Sequence, residues 1–121
     1  MDRFVFDTNT IIDFTDGKIF TLPSGKRFIS VITEMELFAY PELTPKKEQN
    51  ISDFLSNITI YPLFTNVKNE AIRIRRFGVP HLKLPDAIVA ATAVMLSATL
   101  VTRDEKMLKL KWPGLSTLNI A

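Results

Sequence analysis

The chain has no cysteine. That absence removes disulfides, thiolate metal sites and thiol nucleophiles together, and it suits a reducing compartment. Histidine is nearly as scarce. His81 stands alone, and without a second histidine or any cysteine it cannot complete a zinc set. A solitary loop histidine is more often a surface residue than a ligand. Charge of one sign is also in short supply: 15 Lys and Arg face 13 Asp and Glu, a net charge of +2 and a pI near 9.0. So small an excess permits nucleic-acid contact without arguing for it. No apolar run is long enough for a bilayer. The longest, 87–100, is interrupted by Thr92, Ser97 and Thr99. The first residues turn acidic too soon for a signal peptide. Repeats, linkers and low-complexity tracts are missing. With 121 residues, 46% of them apolar, the expectation is a single domain over 1–121, cytoplasmic and with no membrane partner.

What is present alternates between strand-like and helix-like segments. Arg3 to Phe6 is a short apolar run ending at an acid, a buried strand, and Asp7-Thr8-Asn9 is turn chemistry. Thr10 to Phe14 suits one or two helical turns, and Thr15 to Arg27, broken by Asp16-Gly17 and Pro23-Ser24-Gly25, reads mostly as loop. Phe28 to Ile32 predicts a second strand. Thr33 is placed to cap a helix through about Tyr40, and Thr44-Pro45 to open another through Asn57. Thr59 to Phe64 predicts a third strand, put at a sheet edge by Pro62. Thr65 would cap a helix that Gly78 stops at Phe77. Leu84-Pro85-Asp86 opens the strongest helix, Asp86 to about Ser97. Then follow a strand at Thr99 to Thr102, a short helix at Glu105 to Leu110, a turn at Trp112-Pro113-Gly114 and a strand at Ser116 to Ile120.

Alternation of this kind predicts an α/β protein with a parallel sheet covered on both faces, its ligand at the carboxyl ends of the strands. Four acids fall at that edge. Asp7 ends the first strand and Asp104 lies just past the fourth. Glu36 is expected in the first turn of the helix after strand two. Asp86 opens a helix that must run back to the start of strand four. Singly, each has a plain structural explanation as a cap, a turn or a solvated helix residue, and Glu34 competes with Glu36. Jointly they share one edge, which independent caps need not do.

Clustered carboxylates repel one another unless a cation sits among them. Oxygen donors without His or Cys suit a hard ion, Mg²⁺ or Mn²⁺, and argue against zinc. Such an ion on a mildly basic protein points to phosphodiester hydrolysis, with one ion or two.

Four blocks then carry a resemblance: Phe6-Asp7-Thr8-Asn9; Ser30-Val31-Ile32-Thr33 leading to Glu36-Leu37; Leu84-Pro85-Asp86-Ala87-Ile88-Val89-Ala90-Ala91-Thr92-Ala93; and Thr99-Leu100-Val101-Thr102-Arg103-Asp104. In that order and spacing the chain resembles the PIN-domain ribonucleases, and among them the VapC-type toxins of toxin–antitoxin pairs. The resemblance implies a three-layer fold with a five-stranded parallel sheet in the order 3-2-1-4-5. It also implies a Mg²⁺- or Mn²⁺-dependent endoribonuclease acting on structured RNA such as tRNA, a homodimer, and a cognate antitoxin that blocks the active-site groove. Asp7, Glu36, Asp86 and Asp104 match the family's acidic quartet, with Asp7, Asp86 and Asp104 as the main metal ligands and Glu36 on the attacking water or a second ion. Asn9 matches the polar residue supporting the first acid, and Thr102 the hydroxyl residue flanking the last. Two departures stand out. The segment 15–27 is short and broken where relatives often have a helix, and before the Asp86 block, where many carry a basic residue, the segment here is His81-Leu82-Lys83. Lys83 and Arg103 are the candidate RNA contacts. Arg73, Arg75 and Arg76 are more simply a solvated helix end.

Other classes fit less well. A phosphotransfer receiver would need an acid after strand three, where Thr59-Ile60-Tyr61-Pro62-Leu63-Phe64-Thr65 has none. A haloacid-dehalogenase-type phosphatase would need Asp where Asn9 stands. A PIN-fold RNA-processing nuclease without an antitoxin, or a silent RNA- or protein-binding PIN module, remains the alternative within the family.

Overall fold

In a computed structural model describing residues 2–120, eleven elements alternate along the chain. They are β1 (Arg3–Phe6), α1 (Thr8–Thr15), β2 (Lys26–Ser30), α2 (Val31–Ala39), α3 (Pro45–Leu55), β3 (Thr59–Tyr61), α4 (Thr65–Phe77), α5 (Leu84–Met95), β4 (Thr99–Val101), α6 (Glu105–Lys109) and β5 (Ser116–Leu118). The five strands form one parallel sheet in the order β3-β2-β1-β4-β5. β1 is central, with Val5 opposite Leu100 and Phe6 opposite Val101.

Strand alternation divides the core between the two faces. Val5 and Leu100 pack with α4 and α5, where Val67, Ala71, Ile74, Ala87 and Ala90 are buried. The alanines of α5 leave little between helix and sheet, so the helix backbone can lie close to the strands. Phe4, Phe6 and Val101 turn the other way, against Ile11 of α1, Leu37 of α2, and Ile51 and Leu55 of α3. With both faces covered, β1 and β4 are the most buried strands, while β3 and β5 at the edges stay partly exposed.

Several boundaries differ from the sequence expectation. Val31 and Ile32 are β-branched and read as strand, yet they form the first turn of α2. The cap is Ser30, whose Oγ accepts from the Ile32 N–H at 3.1 Å, and Thr33 is buried inside the helix. β2 begins two residues earlier than expected, at Lys26. α1 starts at Thr8, so the turn chemistry at Asp7 to Asn9 is a capped helix start. Thr65 is the first residue of α4, preceded by Phe64 in the cap position with no side-chain bond. α5 begins at Leu84 and ends at Met95. β3, β4 and β5 stop earlier than expected, and β3 does lie at the sheet edge. No helix among the described residues is long and apolar enough to cross a membrane.

Candidate active site

The pairing of Phe6 with Val101 brings the next residue of each strand, Asp7 and Thr102, side by side at the carboxyl edge. Asp7 is nearly buried and uses both carboxylate oxygens. Oδ1 accepts from the Thr10 N–H at 2.9 Å, capping α1, and Oδ2 accepts from the hydroxyl of Thr102. Thr102 is fully buried, and its Oγ1 in turn accepts from the Asp104 N–H at 3.0 Å. Asp104 caps α6, with Oδ1 accepting from the Lys106 N–H at 2.8 Å. One unbroken run of hydrogen bonds thus ties the ends of the two central strands together. Asp7 and Asp104 both cap helices and both line the cleft, which is compatible because each carboxylate oxygen that accepts one hydrogen bond keeps a second lone pair.

Asp86 enters from the opposite direction. α5 starts at this edge, with Pro85 in its first turn and Asp86 beside it, where the helix dipole favours an acid. Asp86 is half-buried, and its pKa is pushed up to about 6. Burial is the largest cause, followed by the charges of Asp104, Glu36 and Asp7, with Lys83 opposing them. The four acids therefore share one electrostatic field. Glu36 lies in the second turn of α2 rather than the first. Its side chain is exposed, and its Oε1 accepts from the Thr8 hydroxyl at 2.7 Å.

A cleft of about 250 Å³ joins these groups, walled by Asp7, Glu36, Asp86 and Asp104 together with Asn9 and Lys83. Lys106 also reaches it, as do Thr8 and Val89. The carboxylates stand around the cleft without closing on its centre. Among the described residues, no three His, Asp or Glu side chains are drawn together as a ready-made metal cage. Arg103 turns elsewhere: its guanidinium donates to Asp13 Oδ2 at 3.0 Å and lines an adjoining basin. His81 is exposed at a left-handed backbone position, with φ 67°, and takes no part in the cleft wall. Lys106 carries no signal in the sequence that would place it here. Thr8 could have been suspected from its place in the first turn after Asp7.

A parallel doubly wound sheet with four carboxylates and two lysines around its reversal point is an α/β ligand site at the topological switch. Comparison with known proteins narrows the class. The PIN domain family matches residues 4–113. A toxin–antitoxin complex from Klebsiella pneumoniae superposes with a TM-score of 0.73 at 31% identity, covering 93% of this chain and 95% of that one. The DNA-bound VapBC of Salmonella typhimurium superposes with a TM-score of 0.80 at 26% identity over 100% of both chains. VapBC2 of Rickettsia felis, bound to a DNA fragment from its promoter, shares the fold with a TM-score of 0.74 at 22% identity, over 97% of this chain and 98% of that one. A search of curated proteins gives no match. The chain belongs to the PIN-domain family, and its likeness within that family is to the VapC type.

Proposed function

We propose that the chain is a metal-dependent endoribonuclease, the toxin of a toxin–antitoxin pair, hydrolysing phosphodiester bonds in a structured RNA such as tRNA. The observation that carries this reading is the gathering of Asp7, Glu36, Asp86 and Asp104 around one cleft, where burial first and then the charges of the other three acids push Asp86 up to about 6. Two nearby lysines leave that repulsion largely unrelieved, and an added dication would relieve it.

The donor set fits a hard cation. Every candidate ligand is a carboxylate oxygen, and Mg²⁺ retains several waters and needs only one or two direct carboxylates, so an open arrangement suits it better than a closed cage. Asp7, Asp86 and Asp104 would hold Mg²⁺ or Mn²⁺. When bound, such an ion polarises a phosphoryl oxygen and lowers the pKa of an attacking water. The protein's own groups supply the rest. Thr102 and the start of α1 fix Asp7 by both oxygens. Glu36, steadied by Thr8, is free to accept a proton from the attacking water at its remaining oxygen. Lys83 and Lys106 offer positive charge to a phosphate entering the cleft, with Asn9 beside the first acid.

Likeness to toxin–antitoxin complexes supports a cognate antitoxin as partner, and with it a cytoplasmic setting. Exposed Met35, Ile72 and Leu84 offer apolar surface for a homodimer. The intact quartet counts against a catalytically silent PIN module.

The test is incubation of the purified protein with a tRNA pool, with Mg²⁺ or Mn²⁺ and then with EDTA, followed by sequencing of the cut ends. Cleavage should need the ion and fall at least a hundredfold in Asp7→Asn. Cleavage that survives EDTA, or persists undiminished in that variant, refutes the mechanism.

A further inference from the structure

Beside the acidic cleft lies a second, open basin of about 500 Å³ lined by Asn9, Asp13, Lys18, Arg103 and Asp104. Asn9 and Asp104 line both, so the two adjoin. Resting on the nuclease reading above, we propose that this basin is a phosphate subsite. It would receive a backbone phosphate of the RNA strand beyond the one held in the cleft, with Lys18 and Arg103 as its cations and Asp13 as the group that sets and moderates them.

The two cations arrive from opposite ends of the chain, and the fold builds their meeting. Arg103 directly follows Thr102, whose bonds fix the end of β4. Lys18 follows the turn that ends α1. Gly17 takes a left-handed backbone with φ 81°, and the Lys18 and Ile19 N–H groups fold back onto the Asp13 carbonyl at 2.8 and 3.3 Å. Beyond the turn Ile19 is buried while Lys18 and Phe20 face solvent. The short, broken segment between the first two strands therefore has a positive consequence, because it delivers a lysine to the cleft's neighbour.

Asp13 accounts for the geometry. Its carboxylate holds Arg103 at 3.0 Å while the Arg103 side chain stays 41% exposed. Among the described residues that is the guanidinium's single hydrogen bond, so of five N–H donors most remain free to grip a phosphate. The guanidinium is thus oriented before RNA arrives, which lowers the ordering cost of binding. Asp13 also repels the phosphate that Arg103 attracts, so the subsite holds a strand loosely enough to release it.

The test measures binding and turnover on the full chain. Anisotropy of a labelled single-stranded RNA in EDTA is followed over a range of salt, beside a labelled polyglutamate peptide. Lys18→Ala and Arg103→Ala should each weaken RNA binding about two- to fivefold. Each should also flatten the dependence of log affinity on log salt by about 0.7, the loss of one phosphate contact to a single strand. Arg103→Lys should keep that slope, and Asp13→Asn should tighten binding by a similar factor. With Mg²⁺ present the changes should appear in KM and leave kcat alone. Unchanged slopes in a protein that still cleaves RNA overturn the subsite and leave the nuclease reading standing. An equal loss of polyglutamate binding overturns it as a general cation patch. A wild-type chain that neither cleaves nor binds RNA overturns both.

Discussion

Replacing Asp86 with Asn should stabilise the metal-free protein, and only above mildly acidic pH. An acid whose folded pKa lies above its unfolded value binds more protons folded than unfolded, so the wild type loses stability as pH rises between the two values. For Asp86 the window runs from the ordinary aspartate value of 3.8 to about 6, and the penalty is complete above it. At face value that displacement corresponds to about 3 kcal/mol. Asp86 is only half-buried, and solvent screens the repulsion from Asp104, Glu36 and Asp7, so about 1–2 kcal/mol is the expected gain for Asp86→Asn at neutral pH. Near pH 4, where the wild-type carboxyl is largely protonated in the fold, the gain should shrink toward zero. Urea unfolding of both proteins in EDTA, compared at the two pH values, measures it. In the variant, added Mg²⁺ should then raise stability less than in the wild type. A difference that stays constant across the pH range, or a destabilised variant at neutral pH, would refute the argument that the four carboxylates share one field.

Other expectations follow from the same contacts. Asp7→Asn keeps a good cap for α1, so unfolding free energy should change by less than about 1 kcal/mol while RNA cleavage collapses; a large stability loss would mean that Asp7 is mainly structural. Thr102→Val removes the hydroxyl between Asp7 and the Asp104 N–H, leaves both short of a buried partner, and should cost about 1–3 kcal/mol by urea titration, with Thr102→Ser recovering most of it. Gly78→Ala would put its Cβ 2.6 Å from the Ile74 carbonyl oxygen and 2.9 Å from a Leu110 methyl, and should cost about 1–3 kcal/mol. Saturating Mg²⁺ should raise the melting temperature of the wild type at neutral pH, and an unmoved melting curve would count against the cleft as a cation site.

How far the sequence could be read depended on whether a residue's role was local or tertiary. β1 and α5 are visible because their apolar patterns run unbroken into an acid or a proline, and those acids fall at one sheet edge by chain direction alone. The order of the strands came from family likeness, since nothing in an apolar run states its neighbours. The β2–α2 junction misled because Val31 and Ile32 favour strands intrinsically, whereas the Ser30 cap and burial of Leu37 decide for helix. Asp7-Thr8-Asn9 looked like a turn because capping and turn residues are the same types. Lys106 and the Asp13–Arg103 pair were invisible for another reason. Lys106 sits on a five-residue helix, and Asp13 and Arg103 lie 90 residues apart, so only the assembled sheet brings them to the cleft.

The hydroxyl of Thr102 has a consequence for the time course of synthesis. It fastens Asp7 to Asp104, which is made long after it, and Phe6 can align with Val101 only once both exist. At about 5–20 residues per second, a growing chain carries its first acid for roughly 5–20 s before β4 emerges to meet it. The central strand waits all that while without one of its two neighbours. A chain interrupted before Thr99 would keep Asp7, Glu36 and Asp86 and still lack the edge that gathers them. Assembly of the cleft is therefore a late event in synthesis.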